Sequence, residues 1–125
     1  MIVGKVNADD EPIIRVFILT QSGMPHELQA TVDTGFNEFL SLPTDLIDAL
    51  QLPFLAYENV ILANGSEEQC AVHKVMVLWD GQPREARVQA NEGAPLIGMS
   101  LMRGYRLTVD VEVDGAVILE RITTP

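Results

Sequence analysis

One carboxylate in this sequence is set apart by its neighbours. Asp33 comes directly after the stretch HELQATV, and Thr34 and Gly35 follow it. An isolated charge loses its hydration on burial, so an acid among good core residues needs a compensating partner. A strand-ending turn offers one explanation, because the carboxylate can accept backbone N–H bonds. Acid–base chemistry offers another, because a carboxylate paired with a second one can both take and give a proton.

The other side chains with nucleophilic or metal-binding chemistry are few. The two histidines, His26 and His73, lie far apart in the sequence without a serine or cysteine nucleophile motif. A dyad of Cys70 and His73 is disfavoured, because residues three apart on a strand point to opposite faces. No His-x-x-x-His pair or carboxylate cluster has the spacing of metal ligands. The sequence therefore gives no support to a metal site.

Length and composition indicate one globular domain spanning residues 1–125. Apolar residues make up 47% of the chain and charged residues 21%, which is typical of a chain that folds around a core. The formal net charge of −10 makes the average surface repel phosphate and anionic lipid. We therefore expect no nucleic-acid partner.

The sequence also predicts a cytoplasmic protein with no membrane partner. The amino-terminal segment MIVGKVNADDEP does not resemble a signal peptide, and no apolar run approaches the roughly 20 residues that cross a bilayer. A single cysteine cannot form an internal disulfide, which suits a reducing compartment.

Strand patterns dominate the chain. EPIIRVFILTQ and HELQATV, joined by the turn residues SGMP, predict a hairpin whose second arm leads to Asp33. Two longer strand-like runs follow Pro53. Asn64-Gly65 and Asp80-Gly81 are hairpin signals within this region, since both dipeptides readily adopt positive φ.

Helical segments are predicted to be short. TDLIDALQL fits one helix with Thr44 as its cap and Pro53 as its stop, and MSLM fits about one helical turn. YRLTVDVEVDGAVILERI predicts a terminal hairpin that turns at Asp114-Gly115, with Asp110, Glu112 and Asp114 on a solvated face. We therefore predict a mainly β domain, closed or sandwich-like, with one or two short helices.

Three segments together resemble the retropepsin-like, single-domain aspartic peptidases. They are VDTGF at 32–36, LANGS at 62–66 and PLIGMSLM at 95–102, which occur in the order and at roughly the spacing of that family. The resemblance covers residues 28–103. It implies the acid-protease fold and a peptide hydrolase without a metal or organic cofactor.

The resemblance also explains the lone acid. Aspartic peptidases use two close carboxylates that share one proton, so that one activates a water while the other polarises the scissile carbonyl. One such motif supplies half of a site, and an isologous dimer brings two identical residues together on its axis. The family therefore implies a homodimer in which the Asp33 pair titrates as a coupled unit and cuts an extended peptide or unfolded protein.

Supporting roles follow from the same resemblance. Thr34 would donate its hydroxyl across the dimer axis, and Gly35 would leave room for water and substrate. Ile97 and Gly98 would lie under the catalytic loop, with Gly98 where no side chain fits. The tip of a substrate-binding flap would comprise Leu62, Ala63, Asn64, Gly65 and Ser66.

The sequence departs from the retroviral pattern after the motif. Phe36, Asn37 and Glu38 stand there, so the flanking substrate contacts do not transfer, and a Glu38 side chain turned inward would raise the pKa of the pair. The flap also lacks the glycine-rich retroviral tip. The alternative function is a dimeric peptide-binding or structural module that keeps the fold with little hydrolytic activity.

A substitution series at Thr34 tests its implied role. Thr34→Ser keeps a hydroxyl donor, whereas Thr34→Ala and Thr34→Val remove it. We expect the serine variant to keep more peptidase activity and more dimer than either of the other two, measured by peptide cleavage and by sedimentation. Equal losses in all three variants would contradict a role for the hydroxyl.

Overall fold

The computed structural model describes residues 1–123 and arranges ten β-strands in one hydrogen-bonded sheet. Two short helices, α1 (Thr44–Ala49) and α2 (Met99–Met102), interrupt the strand order. The strands are β1 (Ile2–Val6), β2 (Pro12–Leu19), β3 (Pro25–Val32), β4 (Leu40–Pro43), β5 (Phe54–Ile61), β6 (Glu67–Trp79), β7 (Gln82–Asn91), β8 (Leu96–Ile97), β9 (Tyr105–Val109) and β10 (Ala116–Arg121).

The sheet closes on itself. Its order is β5-β6-β7-β4-β8-β3-β2-β1-β10-β9, and an additional pairing joins β6 to β2. Six strands, β6-β7-β4-β8-β3-β2, therefore form a ring, which confirms the predicted closed, mainly β architecture with two short helices. Strand β5 extends the ring on one side, and β1, β10 and β9 extend it on the other. Closure leaves the ring without an unpaired edge.

Alternating burial explains why these segments are strands. In β2, Ile14, Val16 and Ile18 are buried while Arg15 is exposed, so the period of two places one face against the core. Strand β6 does the same over its second half, where Val75 and Val77 are buried. These inward residues meet the buried side chains of the other strands, of α1 (through Ile47) and of α2 (through Leu101 and Met102) in one hydrophobic core.

Three of the predicted turns lie where the dipeptides indicated. Gly23 has φ 81° in the loop between β2 and β3, and Gly65 has φ 85° between β5 and β6. Asp80 and Gly81 have φ values of 51° and 82°, and they connect β6 to β7 with Trp79 paired to Gln82. Two consecutive positive φ values are the requirement of the two-residue hairpin turn that follows the strand twist.

The expected cap of α1 is wrong. Thr44 is already the first helical residue, and Pro43 occupies the N-cap position without a side-chain cap bond. The Thr44 hydroxyl donates instead to the carbonyl of Asn91 at 3.4 Å. The pairing of β4 with β7 extends only to Pro43, so the helix starts at Thr44, one residue earlier than a Thr44 cap requires. It also ends before Pro53, because Gln51 adopts a φ of 52°.

The predicted strand with a solvated face at Asp110, Glu112 and Asp114 is also wrong. Strand β9 stops at Val109, and residues 110–115 form a loop between β9 and β10. The N–H of Asp114 donates to the carbonyl of Val6 on β1, which draws this loop across the neighbouring strand. Gly115 permits the close approach, since a Cβ there would lie 1.9 Å from the Asp110 carbonyl oxygen.

Neither helix resembles a membrane span. Within residues 1–123, no helical segment has the length and apolar character that crossing a bilayer requires.

The closed ring predicts a large cost for removing a side chain from its centre. Ile18 is fully buried in β2, where this strand pairs with both β3 and β6. We expect Ile18→Ala to lower the free energy of unfolding by about 2–5 kcal/mol, because it leaves a cavity in the core. Urea denaturation followed by circular dichroism measures the loss.

Ile61→Ala is the matched control, because Ile61 is the same residue type on a strand but is 74% exposed. It should change the unfolding free energy by no more than about 0.5 kcal/mol. Equal losses in the two variants would contradict the placement of the core.

Candidate active site

Asp33 lies at the point where two strands end side by side. It follows β3, whose last residues pair in parallel with β8 through Thr31 and Leu96 and through Val32 and Ile97. The Asp33 N–H then donates to the Ile97 carbonyl at 2.9 Å. The backbone of the acid is therefore fixed by the sheet, and the residue is half-buried.

The carboxylate of Asp33 is only partly engaged within the chain. Its Oδ1 accepts the N–H of Gly35 at 2.9 Å, and the Asp33 carbonyl accepts the N–H of Phe36 at 3.1 Å. Among residues 1–123, its other oxygen, Oδ2, accepts no hydrogen bond. The Asp33 carboxylate thus accepts a backbone N–H bond, as expected for an acid in a strand-ending turn. Its second oxygen, Oδ2, remains free to bind another group.

The loop between β3 and β4 is locked onto the segment that follows β8. Gly98 donates its N–H to the carbonyl of Phe39 at 3.0 Å, and Met99 donates to that of Phe36 at 2.8 Å. The Ser100 side chain adds a bond from its Oγ to the Asn37 carbonyl at 2.5 Å. Strand β8 itself lies between β3 and β4 in the sheet. The loop that carries Asp33 is therefore rigid at both ends.

Gly98 is the tightest point of this contact. A Cβ at this position would lie 2.0 Å from the Glu38 carbonyl oxygen and 2.7 Å from Cδ2 of Phe36. Only a residue without a side chain allows the two backbones to approach so closely. The structure places Ile97 and Gly98 against the Asp33 loop, with Ile97 fully buried.

Thr34, Gly35 and Glu38 are exposed, whereas Ile97, which lies against their loop, is buried. The backbone carbonyl of Glu38 accepts a bond from Ser100, so its main chain is held while the residue faces solvent. Asp33, Thr34 and Gly35 thus form an accessible turn on a buried support.

The residues predicted to form the flap lie at the tip of the β5–β6 hairpin. The N–H of Leu62 donates to the Ser66 carbonyl at 2.8 Å, which closes the tip. Asn64 orders it further, because its Oδ1 accepts bonds from the N–H and the hydroxyl of Ser66. All residues from Ile61 to Glu68 are exposed. The hairpin is therefore a well-formed, projecting arm.

A groove of about 780 Å³ runs between this hairpin, β4, α1 and the end of β7. Apolar lining comes from Phe54, Tyr57, Val60 and Leu62 on the flap side, whereas Asp33 is not among the lining residues. The groove has the size of a ligand site, but one chain does not enclose the acid within it.

Cys70 and His73 both line the groove, and each side chain contacts a different backbone carbonyl. The Cys70 thiol donates to the Ala90 carbonyl at 3.3 Å, and His73 Nδ1 lies 3.1 Å from the Leu52 carbonyl oxygen. Burial raises the pKa of the Cys70 thiol above its usual value, and the Glu58 charge acts in the same direction. A protonated thiol is a poor nucleophile, so these contacts give no support to a cysteine dyad.

Sequence reasoning missed the groups that brace the Asp33 loop. Ser100 bonds to Asn37, and Arg84 reaches across from β7 to donate to the Leu101 carbonyl at 2.8 Å. The Arg84 guanidinium also lies 5.8 Å from the Phe39 ring centroid. Ser100 lies within the PLIGMSLM segment but has no predicted role there, and Arg84 belongs to no motif, so only proximity in the fold identifies both contacts. No group of three or more His, Cys, Asp or Glu residues in the described chain is placed to hold a metal ion.

Comparison with known proteins identifies the fold. No protein-family model and no curated protein sequence matches this chain. Among solved structures, a retropepsin-like aspartic protease from Rickettsia conorii superposes with a TM-score of 0.63 at 18% identity, over 94% of this chain and 86% of that chain. EIAV protease in complex with the inhibitor HBY-793 superposes with a TM-score of 0.56 at 18% identity, over 78% of this chain and 89% of that chain. The chain has a retropepsin-like fold.

Gly98→Ala tests the contact that supports the Asp33 loop. The new Cβ would overlap backbone atoms of Glu38, which cannot move away as a flexible side chain would. We expect the free energy of unfolding to fall by about 1–3 kcal/mol or more, measured by urea denaturation.

Gly93→Ala is the matched control. Its Cβ would meet nothing closer than the Asn91 side chain at 4.0 Å, so this variant should be nearly as stable as the original chain. A stable Gly98→Ala protein would contradict the close approach of the two backbones.

Proposed function

We propose that this chain is an aspartic endopeptidase that works as a homodimer, with Asp33 of each subunit forming the catalytic pair. The observation that carries the proposal is the half-buried Asp33 carboxylate, held on a braced loop with one oxygen uncommitted. The retropepsin-like fold supports it, because both similar structures are described as proteases.

The chemistry requires two carboxylates in different protonation states. An ionised group takes a proton from the attacking water, and a protonated group donates a hydrogen bond to the scissile carbonyl. Two close carboxylates that share one proton supply both states, which is the general behaviour of aspartic proteases. The uncommitted Oδ2 of each Asp33 would face the shared water, while the Gly35 N–H stabilises the ionised form through Oδ1.

A second subunit is needed because this chain offers one such loop. In a two-fold dimer, the same residues from both subunits meet on the axis. The exposed turn of Thr34 and Gly35 is suited to that meeting, since it projects from a support that is itself buried. Thr34 would donate its hydroxyl to the partner's loop, and Gly35 would leave space for the water.

The substrate class follows from the flap hairpin and the groove. Leu62, Ala63, Asn64, Gly65 and Ser66 form the projecting tip that would close over a peptide. Strand β5 lies at one end of the sheet, so its outer backbone groups are available to pair with an extended chain. A peptide or unfolded segment held in this way presents its backbone to the catalytic pair.

A second candidate function has one observation in its favour. Asp33 Oδ1 already bonds the Gly35 N–H, as in a purely structural turn. A dimeric peptide-binding module with little hydrolytic activity would keep that bond and the flap without using the free oxygen. In either case a cytoplasmic setting is proposed, because the half-buried Cys70 thiol is the chain's one cysteine.

Asp33→Asn distinguishes the two functions. It preserves shape and a hydrogen-bonding oxygen but removes the ionisable group, so we expect cleavage of a diverse unfolded-peptide library to fall at least about a thousandfold. The dimer and its affinity for peptides should remain. Asp45→Asn, at an exposed acid on α1, is the control and should leave cleavage unchanged.

Absence of cleavage by the original chain between mildly acidic and neutral pH, together with unchanged peptide binding by Asp33→Asn, would favour the binding module.

Mixed dimers test whether both copies of Asp33 act together. The original chain and Asp33→Asn are unfolded together in equal amounts and refolded, so that subunits combine at random. If each active site needs two aspartates, about a quarter of the dimers are active. If each subunit instead had its own site with a single aspartate, the mixture would keep about half of the activity of the same amount of original chain. The second outcome would contradict the shared pair.

A further inference from the structure

We propose that a cavity at the turn between β6 and β7, whose lining does not include Asp33, binds a phosphate monoester. The cavity has a volume of about 390 Å³ and is lined by residues that include Trp79, Arg84, Arg103, Tyr105 and Arg121. Its size is within the range of small-molecule sites and exceeds what a phosphate group alone would fill. This site is independent of the proposed peptidase activity.

The charge of the cavity contrasts with that of the chain. The protein carries 18 acidic and 8 basic side chains, yet three of the eight basic ones line this one cavity. Elsewhere, Arg15, Lys74 and Arg87 each form an ion pair with a glutamate. Within residues 1–123, no carboxylate lies within 4.0 Å of the three guanidinium groups of the cavity. The chain thus concentrates three guanidinium groups without direct ion pairs at one place.

Arg84 is held in place before any ligand binds. Its Nη1 donates to the Leu101 carbonyl at 2.8 Å, its Nη2 lies 3.5 Å from the Ser100 carbonyl, and its guanidinium lies near the Phe39 ring. A guanidinium has five N–H donors, so these bonds leave others free. A fixed guanidinium binds an oxyanion at a lower entropic cost than a freely moving one.

Arg121 and Tyr105 also line the cavity. The Arg121 guanidinium lies 6.0 Å from the Tyr105 ring centroid, and the Tyr105 hydroxyl donates to Asp80 Oδ2 at 2.9 Å. The Met1 ammonium donates to Asp80 Oδ1 at 2.6 Å. These two donors hold the pKa of Asp80 below its usual range, so its carboxylate is charged at neutral pH and already bonded to them. Hydrogen bonding to Tyr105 and, more weakly, the Asp80 charge raise the pKa of Arg121, so Asp80 partly offsets the Arg121 charge without forming a direct ion pair with it.

Trp79 lines the cavity and is the chain's single tryptophan, so its fluorescence can report a bound ligand. It is 5% exposed, and its indole N–H finds no acceptor among the described residues. The N–H itself is enclosed with almost no accessible surface, so the indole lines the cavity through its ring and not through this donor. The indole also packs edge-on against Tyr105, with ring centroids 5.9 Å apart, so it senses changes at the cavity wall.

Phosphate monoesters fit these groups best among small anions. Guanidinium groups bind phosphate through pairs of parallel N–H bonds, and three of them can neutralise a dianion. The aromatic ring of Tyr105 and the ring of Pro83 offer apolar contact for the organic part of the ester. The negative charge of the remaining surface opposes a long polyanion such as nucleic acid.

The single tryptophan makes the test direct. We would titrate the full chain with phenyl phosphate at constant ionic strength, following Trp79 fluorescence and the heat of binding. We expect a saturable change. Arg103→Gln should weaken phenyl phosphate binding about tenfold, the loss expected for one charge-assisted contact. Arg103 is exposed and has no intrachain bond among the described side chains, so its removal should leave folding intact.

Two comparisons make the result specific. Arg106→Gln removes the same charge from an exposed position on β9 outside the cavity lining and should leave the affinity within about twofold. Inorganic phosphate should bind more weakly than phenyl phosphate because it lacks the ring, and benzoate more weakly because it carries a single charge. Arg121→Gln should repeat the loss seen with Arg103→Gln.

Three outcomes would overturn the proposal. The first is no saturable signal with phenyl phosphate. The second is an equal loss of affinity in Arg103→Gln and Arg106→Gln, which would indicate general charge attraction. The third is benzoate binding as tightly as phenyl phosphate, which would show that the cavity does not select a phosphate.

Discussion

The insertion of β8 between β3 and β4 is the constraint on which the rest of this structure depends. It brings the backbone of Ile97 within hydrogen-bonding distance of Asp33 and forces Gly98 against the carbonyl of Glu38. The insertion also completes the ring of six strands, because β8 connects the β3 side of the sheet to the β4 side. One short strand of two residues thus links the closure of the core to the position of the acid.

The backbone bonds that hold the Asp33 loop matter for the proposed carboxylate pair. A carboxylate pair works only if the two groups stay close enough to share a proton, and a mobile loop would let their charges separate. Main-chain bonds to Ile97 and Phe39 fix the Asp33 loop without occupying its outward face. The β5–β6 hairpin differs from the Asp33 loop because its tip is exposed. Its side-chain hydrogen bonds stay within the tip, between Asn64 and Ser66. A fixed acid and a projecting arm are the two features on which the proposed peptidase function rests.

The distribution of charge separates two regions of the molecule. Glu68, Glu92 and Asp48 line the groove beneath the flap, whereas Arg103 and Arg121 line the cavity beside Trp79. The charged side chains that line the groove and the cavity are therefore opposite in sign, which favours ligands of opposite charge. Because Arg84 donates to the carbonyls of α2, the cavity also shares a structural element with the support of the Asp33 loop.

Local patterns in the sequence determined the strands, the turns and the motif that contains Asp33, because alternating burial and positive-φ dipeptides act over a few residues. They failed where distant strands decide the outcome: pairing of β4 with β7 displaced the expected Thr44 cap, and the bond from Asp114 to Val6 ended β9 early. Ring closure, the bracing of Asp33 by Ser100 and Arg84, and the gathering of three arginines join residues far apart in the chain. Only tertiary structure brings such groups together, since no short-range preference records which distant segment will lie beside them.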